Sequence, residues 1–161
     1  MKIKFKLNNE NVTINRNPSE KLINYLREIN LTSVKNGCNE RNCGACTVLL
    51  NDVPVESCCT TLAQVDNSTV MTLEGFVKTV DYEDISKGFT QANVKMCGFC
   101  NAGKIFTAYQ LVQDYVRPSK DNIRKEISFL KCSCTETDAL VDGIYFACAA
   151  KRARLGKKNG K

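Results

Sequence analysis

Between Gly37 and Cys58 the chain reads G-C-N-E-R-N-C-G-A-C-T-V-L-L-N-D-V-P-V-E-S-C, and four of its ten cysteines fall in that stretch. Cys38, Cys43 and Cys46 are spaced C-x4-C-x2-C, and Cys58 follows after eleven intervening residues. The N-terminus, M-K-I-K-F-K-L, alternates charge with apolar side chains and lacks the apolar core of a secretory signal. The reading is an untargeted cytoplasmic protein, in whose reducing surroundings clustered cysteines serve as metal ligands and not as disulfides. A loop that turns several thiolates inward must wrap tightly, and Gly37 and Gly44 supply the backbone freedom for that wrap.

The spacing is that of a plant-type 2Fe–2S loop. A second set follows at a different spacing: Cys97 and Cys100 in C-G-F-C, with Gly98 inside the turn, and Cys132 and Cys134 in C-S-C. Each pair stands just before a predicted helix, near Ala102 and near Asp138. Unpaired N–H groups and the positive end of the helix dipole stabilise thiolates there. C-x2-C plus C-x-C selects no particular metal. The chain has no histidine, which removes Rieske centres, mixed cysteine–histidine zinc fingers, histidine-ligated haem and a histidine general base. Zinc held by four cysteines is the inorganic rival. Cys59 adjoins a ligand and, in an extended segment, would point away from it; it reads as a free thiol and a fallback ligand should Cys58 be lost. Cys148 lies on the apolar stripe of the last helix and reads as core.

The net charge of +6 does not mark a binding face. Lys151, Arg152, Arg154, Lys157, Lys158 and Lys161 fall in the last eleven residues with no acid among them. Set those six aside and the 23 basic residues become 17, equal to the acidic count. The expectation is a solvated basic C-terminal tail over 151–161, with neither nucleic acid nor membrane as partner. No run approaches the ~18 apolar residues of a membrane span.

Ile3, Phe5 and Leu7 alternate with lysines, the period of a half-buried strand. The turn cluster Asn8–Asn11 and Val12-Thr13-Ile14 complete a hairpin. Asn17 and Pro18 predict a helix start, as N-cap and first helical residue, with Leu22, Leu26 and Ile29 on its apolar stripe. Val48–Leu50 and Val53–Val55 flank Asn51-Asp52 as a second hairpin, in which Pro54 must sit on an edge or at a strand start. Thr60–Gln64 reads as a helical turn and Val70–Leu73 as a last strand. Past residue 80 the period becomes helical: a stripe of Ile85, Phe89 and Ala92, another of Ile105, Tyr109, Val112 and Val116, a helix capped by Ser119 or Asp121, and a fourth from about Asp138. Four helices with short connections predict a small bundle.

N-G-C-N-E-R-N-C-G-A-C-T-V-L-L, followed by C-G-F-C and then C-x-C-T, resembles the iron–sulfur subunit of the molybdenum hydroxylases, the xanthine dehydrogenase, aldehyde oxidase and carbon monoxide dehydrogenase family. L-I-N-Y-L-R-E at 22–28, L-T-S-V-K at 31–35 and T-L-E-G-F at 72–76 add to the match. The resemblance implies an α+β chain. A plant-type ferredoxin-like β-grasp domain would span 1–78 and a four-helix-bundle domain 79–150. Each would hold a 2Fe–2S cluster, the first on Cys38, Cys43, Cys46 and Cys58 and the second on Cys97, Cys100, Cys132 and Cys134, with Gly37, Gly44 and Gly98 shaping the backbone around them. It further implies a molybdopterin-binding large subunit and an FAD-binding medium subunit as partners, those cofactors lying on them, with the helical cluster nearer the molybdenum.

Two departures cluster near the second set. The family's Gln before C-G-F-C is Met96, and its Thr-Pro-Gly after it is Asn101-Ala102-Gly103. Its G-N-L-C-R-C-T-G-Y becomes F-L-K-C-S-C-T-E-T at 129–137. The cysteines survive while their polar surroundings change, which predicts a cluster that forms but meets an atypical partner surface.

The functional expectation is therefore an electron-transfer subunit of an oxidoreductase, with no catalytic residue of its own. It would pass electrons from a molybdenum hydroxylase, the xanthine or purine type preferred, to a flavin or other acceptor. A zinc-stabilised interaction module and a free-standing iron–sulfur carrier are the alternatives.

Overall fold

A computed structural model describes residues 1–130 and 132–158. Residues 1–78 with 98–106 form one compact unit, and 79–97 with the chain from Thr107 onward form a second. Gly98–Phe106 groups with the first unit because Phe106 stacks edge-on against Phe76 at 5.2 Å and Gly103 abuts the Gly44 carbonyl.

The first unit holds a five-stranded mixed sheet in the order β2-β1-β5-β3-β4. β1 (Lys2–Leu7) and β2 (Glu10–Asn15) pair antiparallel, as do β3 (Thr47–Leu50) and β4 (Val53–Glu56). Both hairpins close on two residues, Asn8-Asn9 and Asn51-Asp52, all four with positive φ; such turns match the strand twist, and Asn and Asp adopt them at low cost. β5 (Thr69–Met71) runs parallel to β1 and antiparallel to β3. Pro54 falls on the edge strand, where its missing N–H leaves no ladder gap.

Ile3, Phe5 and Leu7 face inward and pack with Leu22, Ile23, Tyr25 and Leu26 of α1 (Leu22–Glu28). That helix begins later than Asn17-Pro18 predicts. Asn17 spends its side-chain oxygen on the Ser19 N–H, 3.0 Å away, and Lys21 is extended and bridges Thr61. The segment is thereby held in non-helical form until Leu22. A four-residue helix, α2 (Leu62–Val65), starts at Thr61, whose N–H donates to Gln64 Oε1 at 2.8 Å. A second short helix, α3 (Leu73–Phe76), ends the predicted last strand early.

The remaining helices are α4 (Val80–Gln91), α5 (Asn101–Asp114), α6 (Lys120–Glu126) and α7 (Thr137–Lys158). Ser119 caps α6, its hydroxyl accepting from the Asn122 N–H at 3.2 Å. In the second unit α4 and α7 cross backbone to backbone: a Cβ at Gly88 would stand 2.4 Å from the Gly143 oxygen and the Ala147 nitrogen. Val141, Ile144, Ala147 and Cys148 are buried on α7, as expected for Cys148.

The solvated basic tail is a misreading for Lys151, Arg152 and Arg154. α7 continues to Lys158, and three of its cations are spent on the second unit. Lys151 Nζ donates to the Val112 carbonyl at 3.1 Å and Gln113 Oε1 at 2.7 Å, and Arg152 donates to the Val116 carbonyl at 2.6 Å. Arg154 grips the buried Asp84 through Nε at 2.8 Å and a terminal nitrogen at 2.7 Å. Residues 159–161 lie outside the described residues. No helix among the described residues is long and apolar enough to cross a membrane.

Candidate metal centres

The first cysteine group sits on the loop between α1 and β3 and on the turn after β4. The loop has no regular structure; its N–H groups turn onto sulfur instead of forming a ladder. Cys38 Sγ accepts from Glu40 N–H at 3.4 Å, and from Asn42 and Cys43 N–H at 3.3 Å each. Cys43 Sγ accepts from Ala45 N–H at 3.4 Å. Positive φ at Asn39 (58°), Arg41 (57°) and Gly44 (66°) bends the loop far enough to do this. Two of those three positions carry side chains that the sequence reading did not single out.

Gly37 is needed for space and not, as expected, for φ. A Cβ there would lie 2.6 Å from Cys43 Sγ. Gly44 meets the φ expectation, and a Cβ at Gly103 would stand 2.9 Å from its carbonyl oxygen. The loop is thus fixed from both sides by residues that cannot carry a methyl group.

Cys46 and Cys58 are buried, Cys38 and Cys43 half-buried. The three N–H donors hold the Cys38 thiol down to about 7, whereas burial pushes Cys58 up to about 12 against the pull of the Arg41 N–H. Burial likewise raises Cys43. Four thiolates could share this space only around a cation that offsets their charge, so the donor set fits a cationic metal core.

The glutamate of T-L-E-G-F ties this loop down. Glu74 accepts from Ser33 N–H (2.8 Å), Ser33 Oγ (2.6 Å) and Thr72 Oγ1 (2.6 Å). Two of the motifs noted in the sequence, at 31–35 and 72–76, therefore meet. Burial raises the Glu74 pKa, but the Ser33 and Thr72 donors outweigh it and the net shift is downward.

In the second group Cys132 Sγ is 3.0 Å from Cys134 Sγ. Cys97 and Cys100 precede α5, and Cys132 and Cys134 precede α7, as the sequence predicts. Gly98 has φ +83° and donates its N–H to Asn101 Oδ1 at 3.1 Å, turning C-G-F-C back onto the helix start. Thr135 Oγ1 donates to the Lys95 carbonyl. An open cavity of about 690 Å³ is lined by Cys132, Ser133, Cys134, Lys95 and Glu136 among others. Cys97 is exposed, so this centre is more open than the first. Lys104 on α5 is 1% exposed, a buried cation one turn past Cys100 that the sequence reading missed; nothing in its spacing separates it from a solvated lysine.

Two family models match in tandem: a 2Fe–2S iron–sulfur cluster binding domain over residues 5–72 and a [2Fe–2S] binding domain over residues 72–145. The nicotinate dehydrogenase small FeS subunit of Eubacterium barkeri is 40% identical over 134 residues, covering 83% of this chain and 85% of that one. The nicotine 6-hydroxylase small subunit of Paenarthrobacter nicotinovorans is 30% identical over 161 residues, covering 99% and 94%. Among solved structures, quinoline 2-oxidoreductase from Pseudomonas putida 86 superposes with a TM-score of 0.84 at 31% identity, over 97% of both chains.

Proposed function

The chain belongs to the iron–sulfur small subunits of the molybdenum hydroxylases, the electron-transferring and non-catalytic part of those oxidoreductases, and we propose how its residues serve that role. Cys38, Cys43, Cys46 and Cys58 would hold one 2Fe–2S cluster, and Cys97, Cys100, Cys132 and Cys134 the other. Each such cluster supplies one-electron transfer without proton exchange. Within the chain, the N–H groups of Glu40, Asn42, Cys43 and Ala45 orient the first set of sulfurs and favour added negative charge there. The tight loop excludes water around Cys46 and Cys58.

Domains of 1–78 and 79–150, the second a four-helix bundle, remain our reading of the division. The crossing of α4 and α7 at Gly88 supports the bundle. The partners would be a molybdopterin-binding large subunit, facing the open second centre, and an FAD-binding medium subunit nearer the first, in the cytoplasm. Met96 and the altered flank of C-S-C would give the large subunit an atypical contact surface.

The names of the relatives point to nitrogen heteroaromatics, a class that includes the purines preferred from sequence, and we assign the whole complex a substrate of that class. The tandem match of two 2Fe–2S domains to two separate sulfur groups carries this reading. Isolating the complex through this chain should bring down molybdopterin- and flavin-bearing chains, and adding nicotinate or a purine should bleach its visible absorption. A colourless chain with stoichiometric zinc and no such partners would overturn it.

A further inference from the structure

The turn after β4 holds a fifth thiol at the first centre. Ser57–Cys59 is a turn and not extended: Cys59 N–H and Thr60 N–H both donate to the Glu56 carbonyl, at 3.0 and 3.2 Å. The alternation that would aim Cys59 away from Cys58 is therefore lost, and the earlier expectation of opposed side chains fails. The two sulfurs lie 3.6 Å apart. Cys59 Sγ also approaches the carbonyl of Asn39, the residue after Cys38, at 3.9 Å. It thus lies where the turn meets the cysteine loop. Ser57 pins the turn to Cys46, its hydroxyl 2.8 Å from the Cys46 carbonyl, so both neighbours are fixed relative to a third sulfur. Cys58 is buried and Cys59 half-buried, which places the extra thiol on the solvent side of its neighbour.

Resting on the cluster assignment above, we propose that Cys59 is an alternate fourth ligand of the first centre, exchangeable with Cys58. A side-chain rotation suffices, because Cys59 Sγ has only the 3.6 Å between the two sulfurs to cover in order to reach the position that Cys58 Sγ leaves. In the exchange one iron–sulfur bond to Cys58 breaks and one to Cys59 forms. The proton leaving the Cys59 thiol passes to the released Cys58 thiolate, and no electron changes hands. The centre consequently survives loss or modification of either cysteine of the pair.

The test compares Cys58→Ala, Cys59→Ala and the double variant in the full chain with its partners, by iron content and electron paramagnetic resonance after dithionite reduction. Both single variants should keep about four irons per chain and two signals, Cys58→Ala with altered g values for the first, while the double variant falls to about two irons and one signal. The second centre's signal reports folding in each sample, and Cys58→Val, which keeps the buried volume, repeats the measurement if Cys58→Ala does not fold. Loss of the first signal in a folded Cys58→Ala or Cys58→Val chain overturns the proposal. Absence of both signals from the unmodified chain would instead overturn the cluster assignment beneath it.

Discussion

At Gly37 a single methyl group decides whether the first centre can form. Its Cβ would stand 2.6 Å from Cys43 Sγ, inside van der Waals contact, and a sulfur held by metal cannot retreat as a free side chain can. Gly37→Ala should therefore lower occupancy of the first centre several-fold while leaving the second intact, read as separate signals in electron paramagnetic resonance. The need for glycine there was legible in the sequence, but not its reason. Spacing announces which cysteines gather and is silent on which atoms crowd them. The same limit hid Arg41 and Asn39, whose positive φ aims their neighbours' N–H groups at sulfur, because nothing in an arginine or asparagine at those positions signals a left-handed backbone. The direction of the Cys59 side chain was misread for a related cause: the alternation rule holds in strands, and Ser57–Cys59 is a turn.

Helix and strand periodicity located most elements, and the errors lie where side chains compete with the backbone. Asn17 looks like a helix cap yet closes a turn on Ser19, delaying α1 to Leu22. Lys151, Arg152 and Arg154 look solvated because the partner of each lies far away in sequence. Asp84 is 1% exposed and Arg154 supplies two bonds to it. Arg154→Met leaves that carboxylate buried without its cation and should destabilise the α4–α7 pairing by roughly 3 kcal/mol. Thermal unfolding followed by circular dichroism measures the loss, and Asp84→Asn in the same chain should recover part of it.

Glu74 links α3 to the loop that leads to Cys38, and its pKa is lowered in the fold. A carboxylate whose folded pKa lies below its unfolded value contributes stability that is complete above the unfolded pKa and lost as pH falls through the folded one. Glu74→Gln should thus melt below the unmodified chain at pH 7, and the gap should close as pH drops below about 4.5. A gap independent of pH would assign the loss to packing alone.

For the whole molecule, two sulfur groups on two matched domains make this chain a relay and not a single-cluster carrier. The centres differ in ways that suit different neighbours, the first wrapped by N–H donors and the second open at Cys97. If each takes four thiolates around a core of about +2, the chain's formal charge of +6 falls to about +2. The excess of positive charge is therefore no sign of a polyanion partner. The most direct measurement is quantitative electron paramagnetic resonance of the dithionite-reduced full chain, with and without Cys43→Ala. Two distinct signals of about one spin each, with only the first lost in the variant, is the expected result; one signal in the unmodified chain, or loss of both in the variant, would contradict the assignment of two independent centres.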